Sequence, residues 1–388
     1  MLQSLTSVPF VDLHALHAPL QEEIQQAVRQ AIDRGDFILG QAVRNFESDF
    51  ARACGVEHGI GVACGTDAIA LGLQACGIGV GDEVIVPANT FIATIIGVLH
   101  AGATPVLVDC EADTALIDLD AVDRAITPKT KAILPVHLYG QMVSPSRLQE
   151  IAERHGVLIF EDAAQAHLAR REGHTAGSVG IAAAFSFYPS KNLGAAGNGG
   201  IVVTRDENVA ERLRALRNYG APQKYVHTYR GTNSRLDSLQ AAVLNVKLPH
   251  LETWNRQRNE AARTYDRLLA PLQNRGIVPL RNECDLGHVY HLYIVRVDDT
   301  AGYDRNVLAR ELGRVGIQTG IHYPIPCHLQ PAYRSFGDGE GSFPNTETLC
   351  ACILSLPMYP SLSEAQIQQV VTSIEAAVCP PLASETPA

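Results

Sequence analysis

Apolar, strand-like runs recur along the chain at residues 84–86, 105–109, 133–137, 158–162, 183–187 and 201–204, mostly with helical patterns between them. Runs that are apolar on both faces need cover on both faces, and the intervening helices supply it. The pattern therefore predicts an α/β fold on a mostly parallel sheet. Open sheets of this kind bind ligands at the carboxyl ends of their strands.

Two of those ends carry chemistry. Val157-Leu158-Ile159-Phe160-Glu161-Asp162 delivers an acid and runs into Ala163-Ala164-Gln165-Ala166-His167. Phe185-Ser186-Phe187-Tyr188-Pro189-Ser190-Lys191-Asn192-Leu193-Gly194 places a lysine beyond an apolar run and continues to Gly197-Asn198-Gly199-Gly200. Taken alone, the second stretch is more often a solvated surface lysine. Taken with the acid on another strand, it matches what pyridoxal phosphate needs: an amine for covalent attachment and a carboxylate that keeps the pyridine nitrogen protonated. A third place is Gly61-Val62-Ala63-Cys64-Gly65-Thr66-Asp67-Ala68, where a strand turns straight into a helix. Free backbone amides and the positive end of the helix dipole suit a phosphate there, although Thr66 or Asp67 also reads as a simple N-cap.

Glu161-Asp162-Ala163-Ala164-Gln165-Ala166-His167 together with Ser186-Phe187-Tyr188-Pro189-Ser190-Lys191-Asn192-Leu193-Gly194 resembles the DegT/DnrJ/EryC1/StrS family. These are pyridoxal-phosphate-dependent aminotransferases of nucleotide-linked keto sugars, and the resemblance runs from about residue 8 to about residue 374. It implies an aspartate-aminotransferase-like fold of type I, with pyridoxal 5'-phosphate carried by Lys191 and its ring nitrogen held by Asp162. Gly65, Thr66 and Ser186 are then expected at the cofactor phosphate, and Gln165 at the ring or its phenolic oxygen. Phe91, after Pro87-Ala88-Asn89-Thr90, is expected against the pyridine ring, though in such a position a phenylalanine also reads as core. Asn233, in Tyr229-Arg230-Gly231-Thr232-Asn233, is expected to reach the phosphate of a partner subunit, so the resemblance implies a homodimer with shared sites.

The ring- and proline-rich run Ile321-His322-Tyr323-Pro324-Ile325-Pro326 reads as a rigid packed loop, and the resemblance adds a sugar-pocket role for His322 and Tyr323, with Tyr188 as a further substrate contact. The implied reaction moves an amino group from L-glutamate to the keto carbon of a sugar such as a dTDP-3-keto-6-deoxyhexose. Within the family, Phe37-Ile38-Leu39-Gly40 and His322-Tyr323-Pro324 resemble the enzymes that aminate carbon 3 more than those that aminate carbon 4. A carbon-4 or UDP-sugar enzyme is the alternative within the family, and a non-catalytic regulator the alternative outside it. Three departures stand out: Cys64 where serine is commoner, Leu168 where glycine is usual, and Asn198 where an acid is commoner.

With 388 residues, of which 46% are hydrophobic, the chain can bury a large core. A large domain over 1–250, a smaller one over 251–380 and a flexible tail over 381–388 are expected. The 41 acidic and 31 basic residues leave a formal charge of −10, and no basic run points to nucleic acid. Nine cysteines without a Cys-x-x-Cys pair argue against a disulfide framework or a metal site, and no apolar run approaches a membrane span, so a cytoplasmic protein is expected.

Helical patterns are read over 20–34, 43–54, 212–219, from about 236, and over 251–269, 305–315 and 361–378, with a half-buried strand over 289–297. Residues 35–40 set apolar side chains between two glycines, which by itself reads as a packed loop, and the resemblance implies that they lie at a dimer interface. His137 and Tyr139 end another strand and are assigned no catalytic role.

Overall fold

The computed structural model describes residues 7–298 and 304–378, so the tail expected over 381–388 lies outside the described residues. One sheet holds seven strands. They are β1 (His58–Val62), β2 (Glu83–Pro87), β3 (Thr104–Val108), β4 (Thr130–Ile133), β5 (Leu158–Asp162) and, beyond the short ribbon β6 (Arg170–Arg171) and β7 (His174–Thr175), β8 (Ala182–Ser186) and β9 (Gly200–Thr204). Their spatial order is β1-β9-β8-β5-β4-β2-β3. Pairing is parallel from β3 across to β8, as expected, while β9 is antiparallel to both β8 and β1. The reversal follows from the connection: residues 187–199 form no helix that could cross a face, so the chain turns back beside the strand it has just left.

Helices cover both faces of this sheet. Helix Gln41–Cys54 lays Phe46 and Phe50 on one face, where their rings meet Phe185 and Phe187 edge-on at 5.0 to 5.4 Å. On the other face helix Gly65–Ala75 comes so close to β5 that a side chain on Gly72 would run into the Phe160 ring. Pleating puts Asp162 on the same face as Phe160 and sends Glu161 to the opposite one. Glu161 is fully buried there, taking hydrogen bonds from the Gly177, Val179 and Gly180 amides and pairing with His137 at 2.9 Å.

The C-terminal part builds a second antiparallel sheet, β10 (Ile277–Pro279), β11 (Tyr293–Val297) and β12 (Ile353–Leu356), with its own apolar cluster around Tyr265, Leu308, Val370 and Ile374. Val8 from the N-terminal arm joins that cluster through a bridge to Ile317.

Several boundaries differ from the sequence reading for local reasons. The strand read over 133–137 closes at Ile133, because Pro135 has no amide to give the ladder, and only a bridge from Val136 to Asp162 continues it. The helix read over 212–219 spans Glu207–Leu216, started by the Asp206 carboxylate accepting from the Asn208 and Val209 amides. The strand read over 289–297 begins at Tyr293, since Tyr290 takes a positive φ of 40° and Val289 bonds instead to the Gly140 carbonyl. It is buried along nearly its whole length rather than on one face. The loop over 35–40 is pinned to helix Ser238–Lys247 by the Ser238 amide on the Phe37 carbonyl at 3.0 Å, which leaves Phe37 and Ile38 46% and 52% exposed.

Candidate active site

A cavity of about 570 Å³ opens at the carboxyl ends of β5 and β8, a size suited to a small-molecule ligand. Ten sequence candidates line it: Gly65, Thr66, Phe91, Asp162, Gln165, Ser186, Tyr188, Lys191, His322 and Tyr323. The eleventh does not. Asn233 is exposed and outside the cavity, bridged to Asn218 across the 219–232 loop.

Asp162 closes β5 with its carboxylate buried. The Thr94 hydroxyl donates to Oδ2 at 2.8 Å and the Ala164 amide to Oδ1 at 3.1 Å. Burial pushes its pKa up, and the Thr94 and Ala164 bonds and then the Lys191 charge work against that rise. Lys191 sits in the excursion between β8 and β9, with its amide on the Tyr188 carbonyl at 2.8 Å. Its Nζ makes no hydrogen bond or ion pair among the described residues, and burial lowers its pKa to about 8 while Asp162 opposes the fall. A buried amine on the edge between charged and neutral can serve as nucleophile and as proton carrier.

The strand-to-helix turn and the start of β9 beside it both require a glycine. A side chain on Gly65 would meet Ser186 Cβ at 2.7 Å, and one on Gly200 would run into the Cys64 carbonyl. That close fit brings the Ser186 hydroxyl to the N-terminus of helix Gly65–Ala75, whose first amides have no intrahelical acceptor. Cys64 caps this helix, its sulfur accepting from the Asp67 amide at 3.5 Å, so the commoner serine is replaced by a weaker acceptor in the same place.

Gln165 is fixed at both ends of its amide: Oε1 accepts from the Tyr139 amide at 2.6 Å, and Nε2 donates to the Tyr323 hydroxyl at 3.1 Å. Phe91 stands beside Tyr323 with ring centroids 5.4 Å apart and is about half exposed, which removes the core reading. His322 stacks on Phe10 at 5.6 Å and meets the Ser355 hydroxyl through Nδ1 at 2.8 Å, and burial holds its pKa down at about 4. Leu168 adopts a φ of 61°, which accounts for glycine as the usual residue at this point.

Thr94, Ser190, Asn198 and His291 are among the lining residues that carried no sequence assignment. Thr94 had a usable signal, a hydroxyl in the first turn of the mostly apolar helix Ala93–Ala101. His291 had none, since it reaches the wall from a loop ahead of β11. Among the described residues no group of three or more His, Cys, Asp or Glu could hold a metal, and no helix is long and apolar enough to cross a membrane.

Residues 19–375 match the DegT/DnrJ/EryC1/StrS aminotransferase family. The dTDP-3-amino-3,4,6-trideoxy-alpha-D-glucose transaminase of Streptomyces venezuelae is 46% identical over 95% of each chain. A Saccharopolyspora erythraea protein named erythromycin biosynthesis sensory transduction protein EryC1 is 47% identical over 95% of this chain and 99% of its own. The crystal structure of S. venezuelae DesV in complex with a ketimine intermediate has a TM-score of 0.92 at 46% identity, covering 97% of this chain and 100% of that one. The sheet, its helical cover and its strand directions are those of fold type I, as the sequence led one to expect. A match over residues 19–375, which takes in both Asp162 and Lys191, with the fold shared along nearly the whole chain, makes this protein a member of the DegT/DnrJ/EryC1/StrS aminotransferase family.

Proposed function

We propose that the protein is a pyridoxal-phosphate-dependent aminotransferase that moves an amino group from L-glutamate to carbon 3 of a nucleotide-linked keto sugar. The observation that carries this reading is the pairing of Lys191 and Asp162 in one cavity, an amine without a hydrogen-bond partner among the described residues opposite a carboxylate held in place by Thr94 and Ala164. These residues fit pyridoxal phosphate in number, chemistry and position. When bound, that group supplies a protonated pyridine ring that draws off the negative charge left as a proton leaves the substrate carbon.

Lys191 Nζ would hold the cofactor and, when free, would take the proton from the substrate carbon and return it. Asp162 keeps the pyridine nitrogen charged. Thr66 and Ser186, with the N-terminus of helix Gly65–Ala75, hold the phosphate, and Gln165 and Phe91 orient the ring. Tyr188, His322 and Tyr323 face the sugar. Asn233 completes the phosphate site of a second subunit, a reading supported by its exposure away from its own cavity and by the exposed Phe37 and Ile38. The eight described cysteines are all free, which supports a reducing, cytoplasmic setting. We place the division between the larger and smaller domains near residue 250, where helix Leu251–Leu269 begins.

Carbon 3 is favoured by the name of the S. venezuelae relative, a 3-amino sugar transaminase. A non-catalytic regulator would need neither the lysine nor the acid, and both are present. The test is to incubate the purified protein with glutamate and a panel of 3-keto and 4-keto sugars linked to thymidine or uridine diphosphate, with the amino sugar detected by mass. Product from the 3-keto compounds is expected. Product from 4-keto compounds alone would move the assignment to carbon 4, and no product from any would remove the sugar reading.

A further inference from the structure

His291 stands in the cavity wall without a part in the reaction set out above. Its contact is Asn192, the residue that follows Lys191, whose Oδ1 lies 3.2 Å from the ring Nδ1. Asn192 uses Nδ2 twice, donating to the Val289 carbonyl at 2.8 Å and to Asn255 Oδ1 at 3.0 Å. Asn255 donates in turn to the His167 carbonyl at 2.9 Å, which leaves its own Oδ1 as the accepting end. Two carbonyl oxygens can only accept, so the direction of every bond in the chain is settled. All four residues are buried.

The consequence falls on the imidazole. Asn192 can offer His291 nothing but an acceptor, so Nδ1 must carry the hydrogen. Burial first, and then the Lys191 charge, hold the ring well below its usual pKa of 6.5, so it is neutral. A neutral imidazole with hydrogen on Nδ1 has a bare lone pair at Nε2. That atom has no partner among the described residues, yet it is not closed in as the Nδ1 atoms of His167 and His328 are. His322 differs, because the Ser355 hydroxyl it meets can donate or accept and leaves its tautomer free.

We propose that His291 is a specificity-determining acceptor, whose Nε2 takes the hydrogen of a sugar hydroxyl on the bound substrate. This rests on the reading of the substrate as a nucleotide-linked sugar. A fixed lone pair admits an occupant that presents a hydroxyl at this point and opposes one that presents an ether or carbonyl oxygen, since two acceptors would then face each other.

The experiment uses the cofactor-loaded protein with 15N-labelled histidine, the His291 signals being identified by their loss in His291→Leu. Two probes are added, thymidine diphosphate and thymidine diphosphate glucose, and their affinities are measured by calorimetry. Hydrogen on Nδ1 is expected, with an Nε2 signal that moves with the sugar nucleotide and not with the diphosphate. His291→Leu should bind the diphosphate as the wild type does while losing about 3- to 10-fold of the extra affinity that the sugar confers. Hydrogen on Nε2, a charged ring, or an equal sugar increment in both proteins would overturn the proposal. A wild type that binds neither probe would remove the substrate reading instead, and the ring tautomer, measured without ligand, would still decide whether an acceptor faces the cavity.

Discussion

Asp162 and Lys191 face one cavity from the ends of hydrogen-bonded neighbours, β5 and β8, and each opposes the shift that burial imposes on the other. Burial raises the acid and lowers the base, bringing them toward the same pH range, and their mutual attraction pulls them apart again. The amine is thereby left at about 8, on the edge between charged and neutral, beside a carboxyl raised from its ordinary range.

Lys191 should be the single point of covalent attachment. Borohydride treatment of the purified protein should fix pyridoxal phosphate to the peptide containing Lys191, and Lys191→Ala should lose that label together with at least about 100-fold in turnover. Label on another lysine would falsify the assignment.

Asp162→Asn should keep the cofactor and lose about 100- to 1000-fold in turnover, because the charge it holds matters most when the carbanion forms. Thr94→Val gives a subtler readout. Its hydroxyl lowers the Asp162 pKa, so removing it raises that pKa further. Since activity needs the ionised acid, the acidic limb of the pH profile should move to higher pH; an unmoved limb would separate Thr94 from Asp162.

Asn233 should work across a subunit boundary. Lys191→Ala and Asn233→Glu chains, each inactive alone, should regain part of the activity when mixed, because one site of the heterodimer then has both a good lysine and a good asparagine. No rescue after verified subunit exchange, or full activity of Asn233→Glu alone, would place each site within one chain.

Lys247 offers a test of stability. It is fully buried, donates to the Gly194 carbonyl and to His17 Nε2, and burial lowers its pKa to about 8 from the usual 10.5. Between those values the unfolded chain holds more protons than the folded one at this site, so its contribution to stability rises with pH there and is flat below 8. Urea unfolding of wild type and Lys247→Met should show a difference that grows in favour of wild type from pH 8 to 10.5, by at most about 1.4 kcal/mol per pH unit. A difference independent of pH would show that Lys247 titrates normally.

What could be read from the sequence was what lies close together along it. The run that ends in Asp162 was bounded to the residue, because five residues and an acid define both the strand and its end. Helix Leu251–Leu269 was bounded as well, by an uninterrupted helical period. The partners of the site escaped. Thr94 meets Asp162 across 68 residues, and His291 meets Asn192 across 99, and no local pattern announces a bond of that span. Local reading also failed where one residue overrides a pattern, as Pro135 does for the strand at 133–137.

The excursion from β8 to β9 leaves Lys191 little freedom of backbone. The Phe187 amide is tied to the Gly199 carbonyl and the Ala195 amide to the Phe187 carbonyl, both at 2.8 Å, and Leu193 and Ala195 are fully buried. With both feet of the segment fastened, the amine travels only by rotation about its four side-chain bonds. Such rotations take picoseconds to nanoseconds, whereas loop and domain movements take microseconds or longer. The swing of the lysine is therefore too fast to set the pace of a turnover.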